Sequence, residues 1–409
     1  MGEGLPVTSE VAGALDGIRV LDFTRFMQGP IATRLLANMG ATVVKVERPG
    51  GEWDRRLRLA PDGFGGFFHS LNRGKRSVAI DLATDEGKAL VLTLAAECDV
   101  VVENFRPGVM ERLGLGYEDL RAVNPRIIYA AGSGYGPNGP RAAEPMYDMV
   151  AQAVSGLSDF VSGEDGKPRL ASRGLADSAG GVFLAMAVVS ALYVREHTGV
   201  GQRVDASLVG AAIALHPAEV TISLHEDDIK RTHGRVTSTS GAFVCGDGRW
   251  LVIGATDQKV WRGLTIALGR EDLFDDERFS KSRIREQNRA EIEPMLEETF
   301  LTRGRDEWIT RLQDNDVPVA PVNTWIEAAE DPDVIANGYI VDQVDRTWGP
   351  IKMVGHPFHM SASPAIVPDW TPALGEDTVS ELLAAGLSQS AIDELLASGV
   401  VEAFEEKSP

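Results

Sequence analysis

The sequence predicts an open, doubly wound α/β domain, a parallel sheet with helices on both faces, into which a small α+β domain is inserted. Three observations predict it: a strand–helix–strand unit over residues 18–47, recurrence of that alternation as far as residue 131, and a change to antiparallel hairpin chemistry after Gly241. Asp16-Gly17 is a turn signal, and residues 18–23 form a short apolar strand. A helix follows from Gly29-Pro30, where proline suits the first turn, to Gly40, which stops it. Residues 41–47 are the second strand, and the continuous apolar character of both strands marks a parallel sheet covered on both faces. Strands at residues 77–82, 100–103 and 127–131, with helices at 84–97 and 108–113, complete a Rossmann-like large domain. Beyond it lie an uncharged helical run ending near Arg195, a Gly turn and strand over residues 199–208 and a helix over 209–224. The polar segment 225–240 reads as a linker or mobile loop. Residues 242–253 then form a hairpin around Gly246-Asp247-Gly248, followed by helices at 259–268, 282–302 and 305–314 and an extended exit at 318–322. The expected division is 1–224 and 331–409 for the large domain and 225–330 for the small one, with closing helices at 378–385 and 388–397.

Composition narrows the function classes. The chain of 409 residues, 44% of them hydrophobic, can bury two cores. Its longest uncharged apolar run, residues 178–194, is short and rich in Gly, Ala and Ser, which favours a buried helix over a membrane span. Residues 1–17 lack the apolar core of a signal peptide and read as a frayed lead-in. Cys98 and Cys245 are the only cysteines, and the seven histidines show no ligand spacing, so neither a disulfide framework nor a metal is expected and a reducing cytoplasm is. The net charge of -20 disfavours nucleic acid and membrane surfaces as partners. Residues 325–409 hold 15 acids against 3 bases, whereas residues 45–76 hold 8 bases against 4 acids. A basic island in an acidic chain suggests a small polyanionic ligand.

In doubly wound sheets, ligands lie beyond the carboxyl ends of the strands. That directs attention to residues 24–28, 48–54, 104–108 and 132–139. Gly134-Tyr135-Gly136-Pro137-Asn138-Gly139 has the form G-x-G-x-x-G, but Pro137 removes an N–H that phosphates would need and no helix opens at Gly139, so a dinucleotide site is not expected. Asp177 is the focal residue, the only charge between Arg173 and Arg195. It stands before Ser178-Ala179-Gly180-Gly181 as an N-cap would, a placement expected to keep it ionised, with Gly174, Gly180 and Gly181 leaving room and backbone donors around it.

Several stretches in order carry a resemblance: Gly17 to Phe23, Gly29-Pro30, Gly40 to Glu47, Asn72-Arg73-Gly74-Lys75-Arg76-Ser77, Glu103-Asn104-Phe105-Arg106-Pro107-Gly108, Asp177 ahead of its helix, and Thr198 to Gln202. Together they resemble the class III (CaiB/BaiF) coenzyme A transferases over nearly the whole chain. The resemblance implies an interlocked homodimer acting on an acyl-CoA and a carboxylic acid. It implies that coenzyme A lies along Arg48, the Asn72, Lys75 and Arg76 segment, Asn104, Phe105 and Arg112, with its thiol end at Asp177. Asp177 would form an aspartyl-acyl anhydride and then an aspartyl-CoA thioester, chemistry that needs no ATP and no metal, under the small domain as a lid. Tyr147, Met27 and Gln28 are placed by the resemblance at the acyl or acceptor end. The 2-methylacyl-CoA racemases of the same fold carry His where this chain has Tyr147, a poor base at neutral pH, so racemisation ranks second and a non-catalytic CoA- or nucleotide-binding protein third. The run of glycines found in the formyl-CoA:oxalate members is absent from residues 234–241, which argues against oxalate as acceptor.

Overall fold

A computed structural model describes residues 13–57, 59, 65–162, 165–225 and 235–405. Most of the expected lead-in and most of the expected mobile segment at 225–240, Gly234 included, lie outside those residues. The chain divides into two compact units. One comprises Met1–Ser158, Leu170–Leu224 and Ile335–Pro409; the other comprises Asp159–Arg169 and His225–Val334.

The larger unit is built on seven strands: β1 (Arg19–Asp22), β2 (Thr42–Glu47), β3 (Arg76–Ile80), β4 (Val100–Glu103), β5 (Ile128–Ser133), β6 (Arg203–Ser207) and the short C-terminal Val401–Glu402. Their order, with the C-terminal strand outermost, is Val401–Glu402, β3, β2, β1, β4, β5, β6. All neighbours are parallel except Val401–Glu402, which runs antiparallel to β3 with Val401 opposite Ile80. The order reverses at β1 and β4, so the loops after these two strands diverge and leave a crevice at their carboxyl ends. Two-residue periodicity divides the strand side chains between two cores. Leu21, Val44, Val101 and Tyr129 point to one face, and Val20, Val43, Val100, Val102 and Ala130 to the other.

Helices cover both faces: α1 (Gln28–Asn38), α2 (Gly66–Asn72), α3 (Asp85–Ala96), α4 (Val109–Arg112) and α5 (Tyr117–Val123) are followed by α6 (Asp148–Val154), the short α7 (Leu157–Phe160), which runs into the second unit, and α8 (Leu175–Thr198), against which α6 packs. Thr84 caps α3 by accepting the Gly87 N–H at 3.0 Å. The 24-residue α8 is long and apolar enough to cross a bilayer, but half of its apolar window is buried, with Leu184, Ala185, Val188 and Leu192 packed beside Ile31, Leu35 and Leu36 of α1. The predicted helix over 209–224 is two helices, Leu208–Ala214 and Pro217–Ser223, because Pro217 cannot donate to a continuous ladder and starts its own first turn. The Ile340–Asp345 and Gly349–Val354 hairpin is an addition that the sequence reading did not contain.

In the second unit, Ser240–Val244 and Trp250–Gly254 form the expected hairpin, flanked by Arg235–Thr237 and Val319–Pro321 in a four-stranded antiparallel sheet. The predicted helix at 282–302 is broken at Asn288 into Ser282–Gln287 and Arg289–Phe300. Trp261, Phe279, Phe300 and Trp308 fill a separate core there.

Candidate active site

Asp177 is not the cap of α8. Gly174 occupies that position in the left-handed region (φ 75°), which glycine adopts without strain, and Asp177 is the third helical residue. The cap is supplied from a distance by Asp148, the first residue of α6. Its Oδ2 accepts the Gly174 N–H at 2.9 Å, and its Oδ1 accepts those of Ala176 at 2.7 Å and Asp177 at 3.3 Å. Gln152 locks Asp148 in turn, donating from Nε2 to Oδ2 at 2.8 Å and to the Ser172 carbonyl at 2.6 Å. The donors expected to stabilise the charge of Asp177 are therefore already used by another carboxylate. Burial, then repulsion by Asp148, pushes the Asp177 carboxyl up to about 7, against a hydrogen bond from the Gln28 backbone N–H. The expectation that its position keeps it firmly ionised is overturned by this geometry.

The glycines also serve a purpose other than the one expected. A Cβ on Gly181 would lie 2.6 Å from the Gln28 carbonyl oxygen and 2.7 Å from Ile31 Cγ2, and one on Gly180 2.8 Å from Gln28 Nε2. One on Gly174 would meet Met27 Cε at 2.6 Å. These residues let α1 approach α8; the space they leave is filled by α1 and not by solvent.

Asp177 faces a cavity of about 380 Å³ on its other side, at the carboxyl ends of β1, β4 and β5, where Gly132, Ser133 and Gly134 form one wall. Gln28, Asn104, Phe105 and Tyr147 line it; Met27 does not, being turned toward Gly174. Asn104 joins the loops after β1 and β4, accepting the Arg25 N–H at 2.8 Å and donating to the Arg25 carbonyl at 2.8 Å. The Arg25 guanidinium lies 4.7 Å over the Phe105 ring and pairs with Glu52 at 2.7 Å. Beneath, the buried Glu103 carboxylate accepts the Phe105 N–H at 2.7 Å, and burial pushes it up to about 7.

At the mouth, Phe26 sits between Trp53 (6.0 Å) and Tyr147 (6.1 Å, edge-on). Phe26 has φ 62°, unusual for a bulky residue, and its N–H is held by Asp54 at 3.3 Å. A smaller cavity of about 210 Å³ adjoins through Arg25 and Phe26 and is lined by Arg48 and Trp53. Arg48 is exposed, its Nε donating to the Gly51 carbonyl at 3.1 Å, and Arg112 is exposed at the end of α4.

Other residues assigned to coenzyme A are placed elsewhere. Lys75 and Asn72 are fully buried: Lys75 Nζ pairs with Asp22 at 2.9 Å and donates to Asn72 Oδ1 at 2.9 Å. Burial draws the Lys75 ammonium down to about 8 while Asp22 opposes the shift. Arg76 is paired with Glu381, which also binds Arg19 at 2.7 Å. Lys45 is buried too, donating to the Thr24 carbonyl at 2.7 Å, and Arg55 pairs with Glu47 at 2.6 Å. Much of the basic island is thus internal wiring, because each buried cation needs an internal acceptor. Asp148, Phe26 and Glu103 are the residues that sequence reasoning missed. Only the position of Asp148 directly after Tyr147 gave a signal.

The model of CoA-transferase family III matches residues 15–378. The chain belongs to CoA-transferase family III. A probable fatty acyl-CoA transferase from Mycobacterium tuberculosis is 37% identical over 385 residues, covering 90% of this chain and 97% of that protein. The succinyl-CoA:glutarate CoA-transferase of Mus musculus is 34% identical over 402 residues, covering 96% of this chain and 90% of the mouse protein. A crystal structure of a CaiB/BaiF family protein from Brucella suis superimposes with a TM-score of 0.82 at 31% identity, covering 91% of this chain and all (100%) of that one. As a family III CoA-transferase, the protein takes CoA thioesters as substrates. Its cavity offers a carboxylate, a cation over an aromatic ring and an aromatic mouth. Among the described residues, no group of three or more His, Cys, Asp or Glu is placed to hold a metal ion.

Proposed function

We propose that this CoA-transferase moves coenzyme A from an acyl-CoA to a carboxylic acid by covalent catalysis at Asp177. The carboxylate attacks the thioester carbonyl, forming an aspartyl-acyl anhydride and releasing CoA thiolate. The thiolate attacks the aspartyl carbonyl, giving an aspartyl-CoA thioester and the free donor acid. An acceptor carboxylate then attacks the thioester and the same steps run in reverse. The observation that carries this reading is the position of Asp177. Among the described residues it alone presents a largely buried carboxylate to the cavity; Glu144, the other acid on the wall, is exposed. A carboxylate deprived of solvent and facing Asp148 is a stronger nucleophile when ionised than one in water.

Oxyanion donors come from Gln28 in this reading, not from the start of α8. Its backbone N–H favours the ionised Asp177 carboxylate, and its buried Nε2, beside Gly180 one helical turn along α8, has no partner among the described residues. The thiol end of CoA lies at Asp177 and its nucleotide end toward Arg48, Arg25, Phe105 and Arg112, where cations and an aromatic face are exposed. The Phe26, Trp53 and Tyr147 mouth favours an apolar acyl group, in keeping with the name of the Mycobacterium tuberculosis relative. The enzyme acts as a homodimer, interlocked as in the resemblance. In support, α8 exposes Val182, Met186, Val189 and Tyr193 as an apolar stripe at helical spacing, which a second copy would cover. The test is CoA exchange between a panel of acyl-CoA donors and carboxylic acids. Wild type exchanges, with long or aromatic acyl donors ahead of dicarboxylic ones, and Asp177→Asn does not. Exchange by the folded Asp177→Asn protein would refute the assignment.

A further inference from the structure

One group of buried cations belongs to no part of this mechanism. Arg73, in the turn between α2 and β3, is 1% exposed. Its Nη2 donates to the Val354 carbonyl, while Nε and Nη1 have no partner among the described residues. Arg34, on α1, has its Nε buried and likewise unpartnered. His356, two residues beyond Val354, is 5% exposed, and neither ring nitrogen has a partner among the described residues. The three groups act on one another: the charge of Arg34 weighs on Arg73, and both weigh on His356.

No described carboxylate answers them. Burial and the charge of Arg34 draw Arg73 down to about 10, and burial alone lowers Arg34. Elsewhere in this unit, every fully buried cation has a strong internal acceptor, as Lys75 has Asp22 and Lys45 the Thr24 carbonyl. Asn38, one turn after Arg34 on the same face of α1, is also fully buried with both amide atoms unpartnered. Residues 354–370 close over this corner: the Ile366 N–H donates to the Asn38 carbonyl at 2.7 Å, and the Gly74 N–H donates to the Trp370 carbonyl at 2.8 Å. His356 also lines a neighbouring cavity of about 180 Å³ with His359 and Val367, which neither Arg34 nor Arg73 reaches.

We propose that Arg34, Arg73 and His356 form a second, structural binding site for a small oxyanion, a carboxylate or an inorganic phosphate or sulfate, distinct from the CoA cavity. Planar guanidinium groups with free N–H pairs suit such an anion geometrically, and a buried cation with no counter-charge is strongly destabilising. The site is separate from Asp177. Arg34 lies six residues beyond Gln28 along α1, about 9 Å of helical rise, and none of the three residues lines the Asp177 cavity.

The test is thermal unfolding of the full chain in sodium phosphate, sodium sulfate or sodium acetate against sodium chloride at fixed ionic strength. Saturable ligand binding to the folded state raises Tm in proportion to the logarithm of ligand over Kd. The wild type is expected to show a saturable rise of several degrees with at least one of these anions, undiminished by excess CoA. Arg73→Met, which keeps the volume and removes the charge, loses the rise and melts no lower than wild type in chloride. Arg34→Gln, at a half-buried position, weakens the anion response at least tenfold in midpoint concentration. A wild-type response that is non-saturable or equal in the variants overturns the site, as does one abolished by CoA. A change of oligomeric state in Arg34→Gln or Arg73→Met also overturns it, since the counter-charge would then come from a second copy.

Discussion

Replacing Asp148 by Asn tests the relation between the two carboxylates that meet at the start of α8. The substitution removes the charge that raises the Asp177 carboxyl and half of the acceptor capacity that caps the helix. Oδ1 holds two N–H groups and can be replaced by the Asn oxygen; Oδ2 holds the Gly174 N–H and Gln152 Nε2, and an NH2 group there opposes both donors. Gln152 cannot simply turn over, because its Oε1 accepts the Ala171 N–H at 3.0 Å and its Nε2 also donates to the Ser172 carbonyl. A hydrogen bond to a charged group contributes about 1.5–3 kcal/mol, and a lost N-cap costs about 1–2 kcal/mol. The expected destabilisation is therefore about 2–3 kcal/mol, read from urea unfolding at pH 7.

The second readout is the pH profile of kcat/KM for CoA exchange. With Asp177 titrating at about 7, roughly a tenth of the wild type is ionised at pH 6, and the acid limb should follow that fraction. In Asp148→Asn the limb moves to lower pH, so the ratio of activity at pH 6 to that at pH 8 rises. The move is partial, because burial, the larger cause, remains. A folded Asp148→Asn protein whose acid limb stays in place, or moves up, would refute the electrostatic account of this site.

Asp177 also sets a pH dependence of stability. Burial holds its carboxyl at about 7 in the folded chain, above the ordinary 3.8, so the folded chain binds the extra proton between those values and stability falls as pH rises from about 4 to about 7. The effect is bounded at about 4 kcal/mol; urea melts of Asp177→Asn should show a flatter profile between pH 4 and pH 8 than wild type. Gly181→Ala should destabilise by about 1–3 kcal/mol despite the better helix propensity of Ala, because the new Cβ meets the Gln28 backbone. Gly180→Ala should cost less, since it meets the end of a movable side chain, and equal effects would contradict the packing argument. Lys75→Met should cost about 3–5 kcal/mol by stranding Asp22. Exposed Arg48→Ala should change stability by less than about 0.5 kcal/mol and raise the KM for the CoA substrate, and the reverse pattern would restore Lys75 as a ligand.

The parallel sheet was legible because its strands are short apolar runs bounded by Gly and Asp, and its helices carry local start signals such as Thr84 and Pro30. The hairpin at Ile340–Asp345 and Gly349–Val354 was not, because neither strand buries a full face and the alternation of apolar residues is weak. Asp177 was found from its isolation in an apolar stretch, but its environment was misread. The cap of α8 comes from a residue 29 positions earlier, and no local pattern reveals such a contact. The same applies to the basic island. Sequence shows eight cations between residues 45 and 76, but not that Asp22, Glu47 and Glu381 wait for several of them. Phe26 adopts its left-handed conformation under tertiary constraint, against its own preference.

The most direct measurement is peptide mass mapping after wild-type enzyme is incubated with an acyl-CoA donor and quenched with hydroxylamine. A covalent aspartyl intermediate places a hydroxamate on the peptide containing Asp177, at one per subunit and dependent on the donor. If donors that support turnover leave that peptide unmodified while another residue carries the label, Asp177 is not the nucleophile and the proposed mechanism fails.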